Sequence, residues 1–232
     1  MVAGALNAVS AASKIPSIKR FVYTSSCAAI LLPKPNVELN YSTEDWNIEA
    51  IEAAWKPPPY GPERALAVYA ASKTEAEQRM WEFIKEENPG FVLNTVLPNM
   101  TFGQIFSAQQ PASSGGILRK AYYGDISALK SFGPLWMVDV KDTARLHVAA
   151  LIDPEVENER ILGCAYPFNC NDILACLRKL YPDKIFPHNI EDDSRTLVKL
   201  DNRRGEELLK KFGRPGWTGL EESIQENTAC LE

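Results

Sequence analysis

Residues 19–26 read KRFVYTSS, a short apolar run that ends in two serines. An apolar stretch of this length suits a strand buried on both faces, as strands inside a parallel sheet are. FVLNTVLP (91–98) and ERILGCA (159–165) have the same character. Helical segments stand around and between them, at 2–13, 67–87, 143–153 and 171–181. Strands alternating with helices predict an α/β protein on a parallel sheet. LWMVDV (135–140) adds a short strand, and GGILRKAYYG carries a helix. Two more helices are expected over 201–212 and 219–228, the second capped by Thr218 with Glu221 completing a capping box. Asp142 is placed to cap helix 143–153.

The 232 residues are enough to bury a sizeable core. Composition is that of a soluble globular protein, 45% apolar and 24% charged, with a mean hydropathy of −0.22. A net charge of −5 without a basic block argues against nucleic acid and against a polybasic membrane anchor. No apolar run approaches the roughly 18 residues of a membrane helix. The opening MVAGALNAVSAASK has no basic n-region, and Val2, Leu6, Val9 and Ser13 trace an amphipathic helix rather than a signal peptide. Cys27, Cys164, Cys170, Cys176 and Cys230 lack a disulfide rhythm and read as reduced thiols of a cytoplasmic protein. With only His147 and His188 and no close Cys or His pair, no metal site is expected. His147, among Ala144, Val148 and Leu151, reads as a packed histidine.

The segment 27–66 is long for a connector. It holds LLPKPN, a helix expected over 44–55 with Ile48, Ile51 and Trp55 on one face, and KPPPYGP, which is neither strand nor helix. Two readings stand: a cover over a substrate, or a solvated insertion held by a short amphipathic helix.

The chemistry concentrates in YAASKTEAEQ (69–78). Over 67–87 the apolar positions Tyr69, Ala76, Met80 and Phe83/Ile84 form one helical stripe, and Lys73 lies on it. Asn88–Pro89–Gly90 ends the helix. A free tyrosine ionises near pH 10. An ammonium group one turn away favours the phenolate, which makes the pair usable as a general acid/base. The bare Tyr-x-x-x-Lys pattern is weak, with roughly 0.4 occurrences expected by chance in a chain of this length. A core tyrosine beside a snorkelling lysine is the simpler reading of the pattern alone. Context shifts the balance. Ser25 and Ser26 end a buried strand, and ligands of open α/β sheets sit beyond the carboxyl ends of strands.

RFVYTSSCAAI, VYAASKTEAEQ, FVLNTVLPNMTFG and WMVDVKDTARLHVAAL, in this order, resemble the extended short-chain dehydrogenase/reductases, the NAD-dependent epimerase/dehydratase family. The nearest likeness is to the fungal aldehyde/ketone reductase and dihydroflavonol-reductase-like branch. It runs through LRKLYPDK and LLKKFGRPGWTGLEESI to the end of the chain. The resemblance implies that Ser26 matches the serine that hydrogen-bonds a substrate carbonyl. It makes Tyr69 the proton donor, and Lys73 the residue that eases its ionisation and holds the nicotinamide ribose. Pro98, Asn99, Met100 and Thr101 match the loop against the nicotinamide. The implied reaction is reduction of an aldehyde or ketone by NADP(H) or NAD(H), with the cofactor supplying hydride.

The family's Gly-rich turn, which cradles the pyrophosphate at a helix N-terminus, has no counterpart: no G-x-G-x-x-G or G-x-x-G-x-x-G occurs. Aligned on the family, Met1 falls just before the helix that leads into the serine strand. The resemblance thus implies an incomplete Rossmann-type parallel sheet, short of four βα units or on the order of 100 residues. Residues 1–103 are expected to be the remaining dinucleotide-binding part. Residues 104–232 are expected to form a smaller substrate-binding lobe, with strand 159–165 returning to the sheet. Two functional readings follow: a carbonyl reductase acting on a small apolar or aromatic substrate, and a non-catalytic binding or scaffold protein that keeps the substrate lobe. A homodimer is compatible with either. A serine hydrolase ranks behind both, since no G-x-S-x-G elbow is present.

Overall fold

In a computed structural model, which describes residues 1–62, 64–107 and 113–231, the three apolar runs become the strands of one sheet. β1 (Arg20–Thr24), β3 (Val92–Pro98) and β6 (Arg160–Gly163) pair in the order β1-β3-β6, all parallel. Side chains alternate across β3 and so define the two faces. Leu93 faces α1 (Val2–Ser13) and α3 (Arg64–Glu87), in a core with Val9, Ala76, Met80 and Phe91. Val96 faces α6 (Val140–Ile152) and α8 (Arg203–Lys211), in a core with Leu146, Ala149, Ile161 and Leu208. Both faces are therefore covered, which is why apolar residues dominate these strands and why the polar Asn94, Thr95 and Arg160 within them are hydrogen-bonded. The expected α/β fold on a Rossmann-type parallel sheet is what the chain adopts.

A second sheet has its own core. β4 (Met100–Phe102), β5 (Leu135–Asp139) and β7 (Tyr166–Phe168) pair in the order β4-β5-β7, parallel then antiparallel. Against it pack α4 (Ser113–Tyr122), α5 (Ser127–Phe132), α7 (Cys170–Leu180) and α9 (Leu220–Thr228), around Phe102, Leu118, Met137, Phe168, Leu174 and Ile224. Two two-residue strands, β2 (Asn40–Tyr41) and β8 (Lys199–Leu200), pair parallel and tie the 27–66 segment to the C-terminal region.

Several local expectations are corrected. The stretch after β3, matched by resemblance to a loop at 98–101, contains β4, which exists because β5 lies alongside to pair with it. Helix α6 begins three residues early, so its cap is Asp139, whose Oδ1 accepts from Lys141 N at 2.8 Å. Asp142 instead lies buried in the first turn, accepting from Thr218 N at 2.7 Å and pairing with Arg145 at 2.8 Å. With its amide engaged there, Thr218 does not cap α9; the N-cap is Gly219 and no capping side chain is present. Helix α2 (Ile48–Ala54) is shorter than expected and turned over. It buries Ala50 and Ala54, while Ile48 is half-exposed and Trp55 lies at the surface, its indole donating to Glu75 at 3.0 Å. Alanine faces let α2 approach α3 closely. Residues 108–112, part of the segment expected to be irregular, lie outside the described residues.

Two glycines set a contrast in packing. A Cβ on Gly205 of α8 would stand 2.7 Å from the Trp217 ring and 2.8 Å from the Leu162 carbonyl, whereas one on Gly4 of α1 would meet nothing within 4 Å. In urea unfolding, Gly205→Ala is expected to destabilise the protein by about 1–3 kcal/mol through overpacking. Gly4→Ala is expected to stabilise it by about 0.4–1 kcal/mol by restricting the unfolded chain.

Candidate active site

The carboxyl ends of β1 and β3 and the N-terminal half of α3 meet at one edge of the parallel sheet. β1 delivers Ser25 and Ser26 directly after its last residue, held in line by Ser25 N donating to the Val96 carbonyl at 2.9 Å. Ser26 is extended and caps a single 3-10 turn at Cys27–Ala29, its Oγ accepting from Ala28 N at 3.2 Å. Ser25 points the other way, into the protein, and donates to Glu77 Oε2 at 2.6 Å.

Helix α3 places Tyr69, Lys73 and Glu77 four residues apart on one line. The line runs from solvent to core. Tyr69 is 44% exposed, Lys73 is half-buried, and Glu77 is wholly buried. Tyr69 thus sits at the rim of the buried stripe, not within it as its spacing had suggested. The Lys73 ammonium donates to the Thr24 carbonyl at 3.1 Å and lies 5.7 Å from the Tyr23 ring. It has no other hydrogen-bond acceptor among the described residues. Burial pushes Lys73 below the usual lysine range, and the negative charge of Glu77 opposes that shift. Tyr23 is pushed up, first by burial and then by Glu77 and Tyr69.

The link from β3 to β4 is a single residue, Asn99, held by hydrogen bonds. Asn99 N donates to the Gly163 carbonyl at 3.2 Å, Asn99 Oδ1 accepts from Met100 N at 2.9 Å, and Thr101 Oγ1 donates to the Asn99 carbonyl at 3.2 Å. Pro98, Asn99, Met100 and Thr101 accordingly stand at the C-terminal end of the strand next to β1. The structure bonds Lys73 to the Thr24 carbonyl, directly before the serine pair, and ties Ser25 to Glu77 on the same helix. Tyr69 stands one turn from Lys73 with no bond to Ser26, and Pro98–Thr101 follow the strand paired with β1.

Three neighbours were not singled out by sequence. Glu77 repeats the four-residue spacing of Tyr69 and Lys73, and that repeat was its available signal. Arg160 gave none, because its tie to Glu77 spans 83 positions. Thr24 donates its hydroxyl to His147 Nε2 at 2.7 Å, while His147 Nδ1 donates to the Thr143 carbonyl at 2.8 Å. A cleft of about 620 Å³, lined in part by Trp46, Trp81, Arg203 and Arg204, opens beside the N-terminal end of β6, away from Tyr69.

No family model matches the chain. Aldehyde reductase 2 of Sporidiobolus salmonicolor is 45% identical over 228 residues, which cover 97% of this chain and 66% of that protein. The chain belongs to the extended short-chain dehydrogenase/reductases. Ketoreductase adrE of Penicillium roqueforti is 34% identical over 231 residues, covering 98% and 67%. Among solved structures of the same fold, yeast methylglyoxal/isovaleraldehyde reductase Gre2, complexed with NADPH, superposes with a TM-score of 0.77 at 24% identity, covering 98% of this chain and 68% of that one. The chain thus spans about two thirds of the length of the curated relatives it matches.

The family implies a nicotinamide cofactor, and the residues present fit one end of it. A lysine with spare donors beside an exposed tyrosine hydroxyl suits a ribose diol. The pyrophosphate end has no Gly-rich strand–turn–helix in this sequence to receive it.

The His147 contacts fix its tautomer, because a carbonyl only accepts and Nδ1 must therefore carry a proton. Long-range ¹H–¹⁵N spectra near pH 8 are expected to show Nδ1 protonated and Nε2 as the acceptor. A Thr24→Val variant is expected to move the Nε2 resonance and leave Nδ1 in place.

Proposed function

We propose that this protein reduces an aldehyde or ketone to an alcohol, with NADP(H) or NAD(H) as the hydride source. The observation that carries the reading is the Lys73 ammonium, pinned to the end of β1 one turn from the exposed Tyr69 and two residues from Ser26. Membership in a family with relatives named aldehyde reductase and ketoreductase supports it. Tyr69, Lys73, Pro98, Asn99, Met100 and Thr101 would hold the nicotinamide end of the cofactor, which supplies a hydride to the carbonyl carbon when bound.

The chain's own residues handle the oxygen and the proton. Ser26 Oγ donates a hydrogen bond to the substrate carbonyl oxygen and orients it. Tyr69 gives its hydroxyl proton to that oxygen as negative charge develops there. Lys73 stabilises the phenolate left behind, an effect strengthened by its half-buried position. Its bond to the Thr24 carbonyl fixes the ammonium on the strand end, so the charge is in place before substrate arrives. Residues 104–232 are read as the substrate-binding lobe and 1–103 as the dinucleotide-binding part, with strand 159–165 returning to the sheet. The substrate is proposed to be a small apolar or aromatic carbonyl compound.

Loss of NADPH absorbance with a panel of aldehydes and ketones tests the reaction. Tyr69→Phe is expected to lower turnover by about 10²–10⁴-fold, while NADPH titration by fluorescence stays within about twofold of the parent. A parent protein that neither binds nor consumes NADPH would sink the reductase reading in favour of a binding or scaffold role. Cofactor binding lost in Tyr69→Phe would make the tyrosine a cofactor contact or a structural residue and overturn its assignment as the proton donor.

A further inference from the structure

Glu77 carries more contacts than its place in a helix requires. Its carboxylate is fully buried and accepts from side chains on all three strands of the parallel sheet. Ser25 Oγ, just beyond β1, donates to Oε2 at 2.6 Å. From β3, Thr95 Oγ1 donates to Oε1 at 2.7 Å. From β6, Arg160 Nε donates to Oε1 at 2.8 Å, and Trp81 Nε1 adds a longer bond of 3.4 Å from α3 itself. Arg160 is anchored in turn: it stacks 3.7 Å from the Trp46 ring and donates to the carbonyls of Thr43 and Asp45.

A buried ion pair is a poor device for stability alone, because apolar residues of similar volume serve as well or better. This one lies one turn from Lys73 and one residue from Ser26. We propose that Glu77 is a positioning residue for the site: it fixes the Ser25–Ser26 strand end to α3 and supplies the negative charge that keeps Lys73 an ammonium at the strand edge. The proposal rests on the reading of Tyr69 and Lys73 as the proton-transfer pair.

The groups facing Lys73 come from four elements. Tyr69 and Glu77 stand one turn away on α3, and Tyr23 lies beneath it on β1. His147 of α6 reaches it through Thr24, and Met1, at the head of α1, contacts Ser72 beside it. Glu77 is the only carboxylate among these. Arg160 lies behind that carboxylate, so Lys73 feels mainly the negative charge. Removing Glu77 therefore favours the neutral amine, and Lys73 titrates at lower pH.

Two variants separate this role from simple support of the fold. Glu77→Gln keeps one acceptor oxygen and offers an amide N–H in place of the other, to which a Ser25 or Thr95 hydroxyl can accept, but it strands the Arg160 charge. Glu77→Gln with Arg160→Met removes both charges and is expected to regain much of any melting temperature lost in the single variant. Competitive acetylation of Lys73 across pH, read by mass spectrometry, follows its titration without any turnover. The expected result is a midpoint about one unit lower in the single variant. A shift of the same sign is expected in the double variant, with the basic limb of the pH–rate profile for reduction moving the same way. An unmoved Lys73 midpoint in both variants overturns the proposal and leaves Glu77 a purely structural residue. A moved midpoint in a protein whose Tyr69→Phe variant reduces carbonyls at the parent rate overturns the proton-transfer reading instead, and with it the part of Glu77 in turnover.

Discussion

A carboxylate with no solvent contact stands beneath α3, and the sheet is organised around keeping it satisfied. Desolvating an ionised carboxyl group costs several kcal/mol unless opposite charge and hydrogen bonds replace the lost water. Glu77 receives Arg160 from the third strand, Thr95 from the second and Ser25 from the end of the first. Each donor lies on the α3 face of its strand, so the carboxylate fixes how the three strands sit relative to one another along their length. The parallel register, with Thr95 opposite both Tyr23 and Arg160, is the arrangement in which all these donors converge.

From that constraint the site follows. Once the strand ends are level, the carbonyl of Thr24 and the serines after it stand beside the N-terminal half of α3, where Lys73 reaches the carbonyl. The gradient along α3, from exposed Tyr69 to buried Glu77, places a titratable hydroxyl at the surface with a cation beneath it and an anion deeper still. An exposed hydroxyl, a half-buried cation and a buried anion thus follow one another along a single helix. The opposite face of the sheet works differently. Buried Asn94 there donates to the carbonyls of Ala150 and Val156, which the Arg20 guanidinium also reaches at 3.4 and 2.6 Å, so hydrogen bonds to the backbone rather than a buried carboxylate close the end of α6.

The parallel sheet was legible because its three strands are apolar on both faces, and the order of four motifs identified the family. The short strands β4 and β7 were not legible. Three residues carry no period of their own, and each exists only because β5 offers a free edge. The caps of α6 and α9 were misplaced for a related reason: β5 runs straight into α6, so Asp139 is both the last strand residue and the first helical cap. The face of α2 was misread because Ile and Trp draw attention as core residues, whereas the helix packs through Ala50 and Ala54. Ser26, Tyr69 and Lys73, the residues proposed for catalysis, come from spacing and from the family's motifs. Glu77 was hidden by looking like one more charge on an acidic helix; the four-residue repeat after Tyr69 and Lys73 was its mark in the sequence, and burial sets it apart from Glu75 and Glu82.

The Glu77–Arg160 tie also has a history within each molecule. A chain made from its N-terminus presents Glu77 long before the arginine that follows it by 83 positions. Without β6 the carboxylate has the Ser25 and Thr95 hydroxyls but lacks the arginine hydrogen-bonded to it. Drying the helix–sheet interface in that condition would leave it short of its ion-pair partner, at a cost of several kcal/mol. The last strand therefore acts as a lock that lets the helix seat and the strand ends close up. Contacts of such long sequence separation form late and slowly. The third strand thus completes the carboxylate's shell, and with it the tie that holds Ser25 and the strand end against α3.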